Sequence, residues 1–105
     1  MSNDSPLPLR LRQARERKGL SQRRLGLKAG LDEFSASPRI NHYERGRHAP
    51  DYSTLSRLAW VLEVPVAFFF AGEDDLADWL LLWQEVPQPV RQQTLAELRA
   101  HRDEE

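Results

Sequence analysis

The sequence predicts an all-α fold: five short helices within residues 7–71 and a helical extension over residues 72–105. Three observations lead there. Apolar residues recur at helical spacing, as in Leu7, Leu11 and Ala14, and again in Leu55, Leu58, Ala59 and Leu62. Capping residues and glycines punctuate those stripes: Ser21 and Asp51 stand where a side chain can accept from a first-turn N–H, and Gly19, Gly30 and Gly46 stand where helices end. A chain of 105 residues, 40% hydrophobic and without cysteine, suits one domain held by an apolar core rather than by disulfides.

In order, the first helix is expected from Leu7 or Pro8 to Lys18, its apolar stripe inward and Arg10, Arg12, Arg17 and Lys18 on the rest. The second runs from Gln22 to about Lys28 behind Ser21. Gly26 leaves room there for another helix to cross closely. The third lies near residues 36–45, with Ser37 as the expected N-cap and Pro38 at a position needing no backbone N–H. Ile40 and Tyr43 share its inner face, and Arg39, Asn41 and His42 fall on the other side. A fourth helix, Tyr52 to about Leu62, is capped by Asp51; Trp60 lies off its inner stripe. Val64 and Pro65 lead into a fifth, about Val66 to Phe70, with Phe69 expected inside and Phe68 and Phe70 elsewhere.

The extension holds two more helical stretches. Residues 76–84, L-A-D-W-L-L-L-W-Q, are apolar nearly all round, preceded by acidic residues suited to a helix N-terminus. After Pro87-Gln88-Pro89, Val90, Thr94, Leu95 and Leu98 form an amphipathic stripe to about His101. Leu76, Trp79, Leu80, Leu81, Leu82 and Trp83 exceed what one small domain can bury, and a surface joining two copies of the chain is expected. Trp79 and Leu80 would pack on the parent domain and Leu82 and Trp83 on the second copy, or the reverse, with the surface widened by Leu95 and Leu98.

Net charge is −1, yet its distribution is lopsided. Residues 1–48 carry eleven Lys and Arg against five Asp and Glu, a balance of +6; residues 49–105 carry four against eleven, a balance of −7. A basic front half is suited to phosphate while the acidic back half stays clear of it. On the third helix, a guanidinium, an amide and an imidazole are what reading base edges needs: Arg39, Asn41 and His42, with Ser37 a lesser candidate. Gln22 and Arg23 at the start of the second helix, Arg45 at the end of the third and Arg47 after it are the candidates for the sugar–phosphate backbone.

Two segments carry a resemblance: L-R-L-R-Q-A-R-E-R-K-G-L-S-Q-R-R-L-G from Leu9 and I-N-H-Y-E-R-G-R-H-A-P-D from Ile40. Together they resemble the phage-repressor-like (XRE) helix-turn-helix family of DNA-binding regulators over about residues 9–70. The resemblance implies a five-helix repressor-like domain and double-stranded DNA, with a palindromic operator, as partner. It also implies an ion pair between Arg15 and Glu44 joining the first and third helices. The segment Leu31 to Arg39 is longer than the usual helix-turn-helix connection of ~3–4 residues, which bears on where the third helix starts.

Other chemistry finds no support. No serine stands in a nucleophile elbow, and His42, His48 and His101 lack zinc-helix spacing. There is no phosphate-cradling glycine loop, so neither an enzyme nor a metal or cofactor is expected. The N-terminus lacks a basic-then-apolar signal pattern and no apolar run is long enough to span a bilayer, so the cytoplasm is the expected location. The alternative is an antitoxin-like interaction module whose apolar C-terminal helices cover a different protein.

Overall fold

A computed structural model describes residues 4–104; residues 1–3 and 105 lie outside it. Its elements are α1 (Leu7–Arg17), α2 (Gln22–Lys28), α3 (Ala36–Glu44), α4 (Tyr52–Leu62), a 3-10 helix (Val66–Phe70), α5 (Asp74–Glu85) and α6 (Gln88–Asp103). The fold is all-α, the first four helices, the 3-10 turn and one side of α5 enclosing one core.

The boundaries follow from local chemistry. Ser21 Oγ accepts the Arg24 N–H at 3.0 Å, and Asp51 Oδ1 accepts the Thr54 N–H at 2.8 Å. That second bond holds the Asp51 carboxyl below its ordinary range. Gly19, Gly30 and Gly46 adopt positive φ after α1, α2 and α3, where a side chain would be strained. The α3 start differs from expectation. Ser35, not Ser37, is its N-cap, without a side-chain bond to the helix, and Ser37 and Pro38 lie inside the first turn. Pro38 is tolerated because the first-turn N–H groups have no intrahelical partner. Asp32 shapes the approach: its Oδ2 accepts the Phe34 N–H at 3.0 Å and its carbonyl the Ser35 N–H at 3.1 Å.

Leu11, Leu25, Ile40, Leu58, Leu62 and Phe69 are fully buried and form the centre of the core. Phe68 is buried too, edge-on to Phe69, because the 3-10 turn packs against both α1 and α5. The most extensive packing is between α2 and α3, and it depends on Gly26. A Cβ there would stand 2.8 Å from the Ala36 Cβ and 3.0 Å from Ala36 Cα and carbonyl oxygen. Since the obstacles are the rigid Ala36 Cβ and two backbone atoms, none of them the end of a flexible side chain, the clash outweighs the ~1 kcal/mol that alanine gains in helix propensity. Gly26→Ala is therefore expected to lower stability by about 1–2 kcal/mol, read as a fall in the urea midpoint.

Arg10 departs from its expected surface position. It is only 4% exposed, donating from Nε to the Ala71 carbonyl at 2.8 Å and pairing with Asp74 at 3.1 Å. It thereby ties the start of α5 to α1. Ala77 is buried in the core, and Leu80 and Leu81 pack against that core. The opposite side of α5 presents Leu76, Trp79 and Leu82 to solvent, with the Trp79 and Trp83 rings stacked at 6.5 Å.

α6 continues from α5 without joining the core. None of its residues is buried. Arg91 fastens its first turns, donating to the carbonyls of Trp83 at 2.7 Å and Gln84 at 3.0 Å, and lying over the Trp83 ring. These are α5 carbonyls with no onward helical partner. The radius of gyration, 16.1 Å, exceeds the roughly 13 Å of a compact chain this long.

Candidate nucleic-acid interface

At 100° per residue, the burial of Ala36, Ile40 and Tyr43 turns Pro38, Asn41, His42 and Arg45 to the opposite side of α3. Ser37 and Arg39 lie on its two flanks. Arg39 is exposed, but its guanidinium donates to the Tyr43 hydroxyl at 2.8 Å and lies over that ring. Arg45 Nε donates to Asn41 Oδ1 at 3.3 Å, and the His42 ring lies 5.2 Å from His48 in the following loop. Among the described residues, Arg39, Arg45 and Arg47 make no ion pair with a carboxylate.

The back of α3 is fixed by charge. Arg15 Nε donates to Glu44 Oε2 at 2.6 Å and Nη2 to Oε1 at 3.0 Å, a two-pronged contact, while Nη1 donates to the Leu20 carbonyl at 3.0 Å. The Arg15 and Glu44 side chains are 15% and 5% exposed. The bond to Glu44 raises the Arg15 pKa above its already high ordinary value, so the guanidinium stays charged at any working pH. Gln22 joins this group. Its amide nitrogen donates to Asn41 Oδ1 and to Glu44 Oε1, each at 3.2 Å, so it links α2 to α3. With Arg12 and Arg45 these residues line an open polar hollow of about 370 Å³.

Arg23 stands 3.7 Å from Glu33, an exposed pair of little energetic weight. Arg47 is exposed beyond α3, its N–H bonded to the His42 carbonyl at 2.9 Å. The structure thus brings Arg15, Gln22, Asn41, Glu44 and Arg45 into one network, while Arg39 is held by Tyr43 and Arg23 by Glu33 outside it. Leu80 leans on its own domain instead of joining Trp79, Leu82 and Trp83 outside. Leu95 is half-buried and Leu98 exposed.

Sequence reasoning missed Arg10 as the buried tie, though a signal was present: it lies three residues after Leu7 and four before Ala14, inside the apolar stripe. Arg57 was missed as well; from α4 it donates to the Ala29 carbonyl at the end of α2, at 2.9 Å. Among the described residues, no three His, Asp or Glu are placed to hold a metal ion, and no helix is long and apolar enough to cross a membrane.

Two short helices packed at a glycine, the second with an outward polar face, define a helix-turn-helix unit. Residues 11–69 match the helix-turn-helix family model, and the chain belongs to that family of DNA-binding regulators. The chain is similar to the crystal structure of the transcriptional regulator BswR, at 41% identity and a TM-score of 0.83, over 90% of this chain and 93% of that one. Comparison with curated proteins gave no match.

Proposed function

We propose that the protein is a cytoplasmic transcriptional repressor that binds a palindromic operator as a homodimer, each copy reading the major groove with α3. The observation that carries this is the outward pair Asn41 and His42 on α3, flanked by Ser37 and Arg39, on a helix clamped from behind by Arg15 and Glu44. Outward-facing donors and acceptors on a helix held from behind suit base edges: arginine pairs with guanine and asparagine with adenine. The +6 balance of residues 1–48 supplies attraction to phosphate, and the −7 of residues 49–105 favours keeping α5 and α6 away from the duplex. Residues 7–71 would be the reading domain, and residues 72–105 the extension that joins two copies.

The experiment is in vitro selection of bound DNA, followed by a reporter under the selected site. A palindromic consensus and lower reporter output when the protein is supplied are expected. Arg39→Ala and Asn41→Ala should each flatten preference at the bases they meet, removing about 1–3 kcal/mol of discrimination with little change in non-specific binding. Unchanged preference in both variants would remove α3 as the reader.

Arg47 belongs to the backbone set with Gln22, Arg23 and Arg45. Arg47→Ala is expected to weaken all sites about equally and to reduce the slope of log affinity against log salt by about one. An unaltered slope would take Arg47 out of that set. Should the purified chain bring a stoichiometric second protein on its α5–α6 face instead of a second copy, the antitoxin-like reading would replace the homodimer.

A further inference from the structure

The connection between α2 and α3 carries a residue that neither the core nor the polar network uses. Phe34 is 87% exposed, the highest exposure of any large apolar side chain among the described residues. Its exposure is built rather than incidental. On one side of it Leu31 is buried, its N–H bonded to the Gly26 carbonyl at 2.9 Å; on the other, Ala36 is buried against Gly26. Between these anchors Asp32 accepts the Phe34 N–H with its carboxylate and the Ser35 N–H with its carbonyl. The turn is therefore held at both ends and pinned at its crest. Its two acidic neighbours are also occupied, Asp32 by that backbone bond and Glu33 by Arg23 at 3.7 Å.

Phe34 lies two residues ahead of the first residue of α3. In a helix-turn-helix it is the N-terminal end of the second helix that points at the base edges. A phenyl ring offers no donor or acceptor there. The apolar feature of the major-groove edge is the C5-methyl group of thymine. We propose that Phe34 is a specificity-determining residue that packs its ring on a thymine methyl beside the bases met by α3. This rests on the major-groove reading above. The lengthened connection then acts as part of the reading surface and not merely as a spacer.

The test compares the full chain with Phe34→Ala on the selected operator, in which each thymine in turn is replaced by deoxyuridine in both half-sites. Deoxyuridine removes the methyl group and leaves every hydrogen-bonding atom in place. The wild-type protein is expected to lose about fourfold in affinity per half-site at one thymine position, the order of one buried methyl group. Phe34→Ala should bind the thymine site that much more weakly and show no further loss on deoxyuridine. Phe34 makes no core contact, so thermal stability and oligomeric state should be unchanged. Equal sensitivity of both proteins to every deoxyuridine, or a change in oligomeric state in the variant, would overturn the proposal. A wild-type protein that selects a clear consensus but ignores all thymine methyls would overturn it too and leave the α3 reading standing. A wild-type protein that selects no consensus would remove both.

Discussion

Arg15→Ala and Glu44→Ala are each expected to destabilise the fold by about 3–5 kcal/mol, because each leaves the other charge buried without its partner. Glu44 is 5% exposed, and without Arg15 its carboxylate keeps only the Gln22 amide at 3.2 Å. Without Glu44, Arg15 keeps only the Leu20 carbonyl. For a domain of this size that loss lowers the melting temperature by on the order of 15 °C. The double variant should lose clearly less than the sum of the two, since the second truncation removes the stranded charge left by the first. Strict additivity would show that the groups do not interact in solution. Because the pair joins α1 to α3, both variants should also bind DNA more weakly at temperatures where they remain folded. Glu44→Gln separates charge from shape, keeping an acceptor for Arg15 while losing the ionic component. It is expected to lie between wild type and Glu44→Ala.

How much of this was legible in the sequence depended on whether local chemistry had competition. The starts of α2 and α4 were plain, since Ser21 and Asp51 are the capping side chains at those points. The start of α3 was not. Ser35 and Ser37 flank an alanine whose small side chain gives a weak apolar signal, yet Ala36 is fully buried against Gly26. The pairing of two distant residues, not a cap, sets that boundary. Arg10 was misplaced because charge was read before spacing; its guanidinium bonds Gln13 nearby, but the Ala71 carbonyl and Asp74 that complete its burial lie 61 and 64 positions away, and no local pattern names them. Phe68 was placed outside because a five-residue 3-10 turn leaves no stripe to count. On the candidate reading face, residue types were legible and partners were not: that Arg39 rests on Tyr43 and Gln22 on Asn41 is a matter of tertiary geometry. The orientation of α5 was undetermined for a different reason. With apolar side chains around most of its circumference, periodicity could not choose a buried side. The tie from Arg10 to Asp74 and the small side chain of Ala77 do so, turning Leu80 and Leu81 inward and Leu76, Trp79 and Leu82 out.

That outward face leads to the largest expected effect on binding. Leu82→Asp should convert the proposed dimer to a monomer and weaken operator binding by about 10²–10⁴-fold, because the second half-site would no longer be met at high effective concentration. Leu82 is 54% exposed and not part of the core, so the substitution should leave the melting temperature of the domain close to its wild-type value. Together with Trp79, Trp83, Val86, Val90 and Thr94, it lines an apolar hollow where α5 meets α6. A 16-residue helix with no buried residue, extending a chain already longer than a compact fold, lacks enough contact within one copy to account for its apolar stripe. In the proposed dimer a two-fold arrangement would cover that stripe with the same surface of a second copy, and operator half-sites about one turn of DNA apart would each take one α3. Deleting residues 88–105 tests the same surface while retaining Ala77, Leu80 and Leu81 in their places. Light scattering at micromolar concentration should report a dimer for the wild type and a monomer for both variants. Binding to a single half-site should be nearly unaffected, while binding to the palindrome falls steeply. A wild-type monomer, or a Leu82→Asp protein that retains full affinity for the palindrome, would mean that α5 and α6 do not join two copies on DNA.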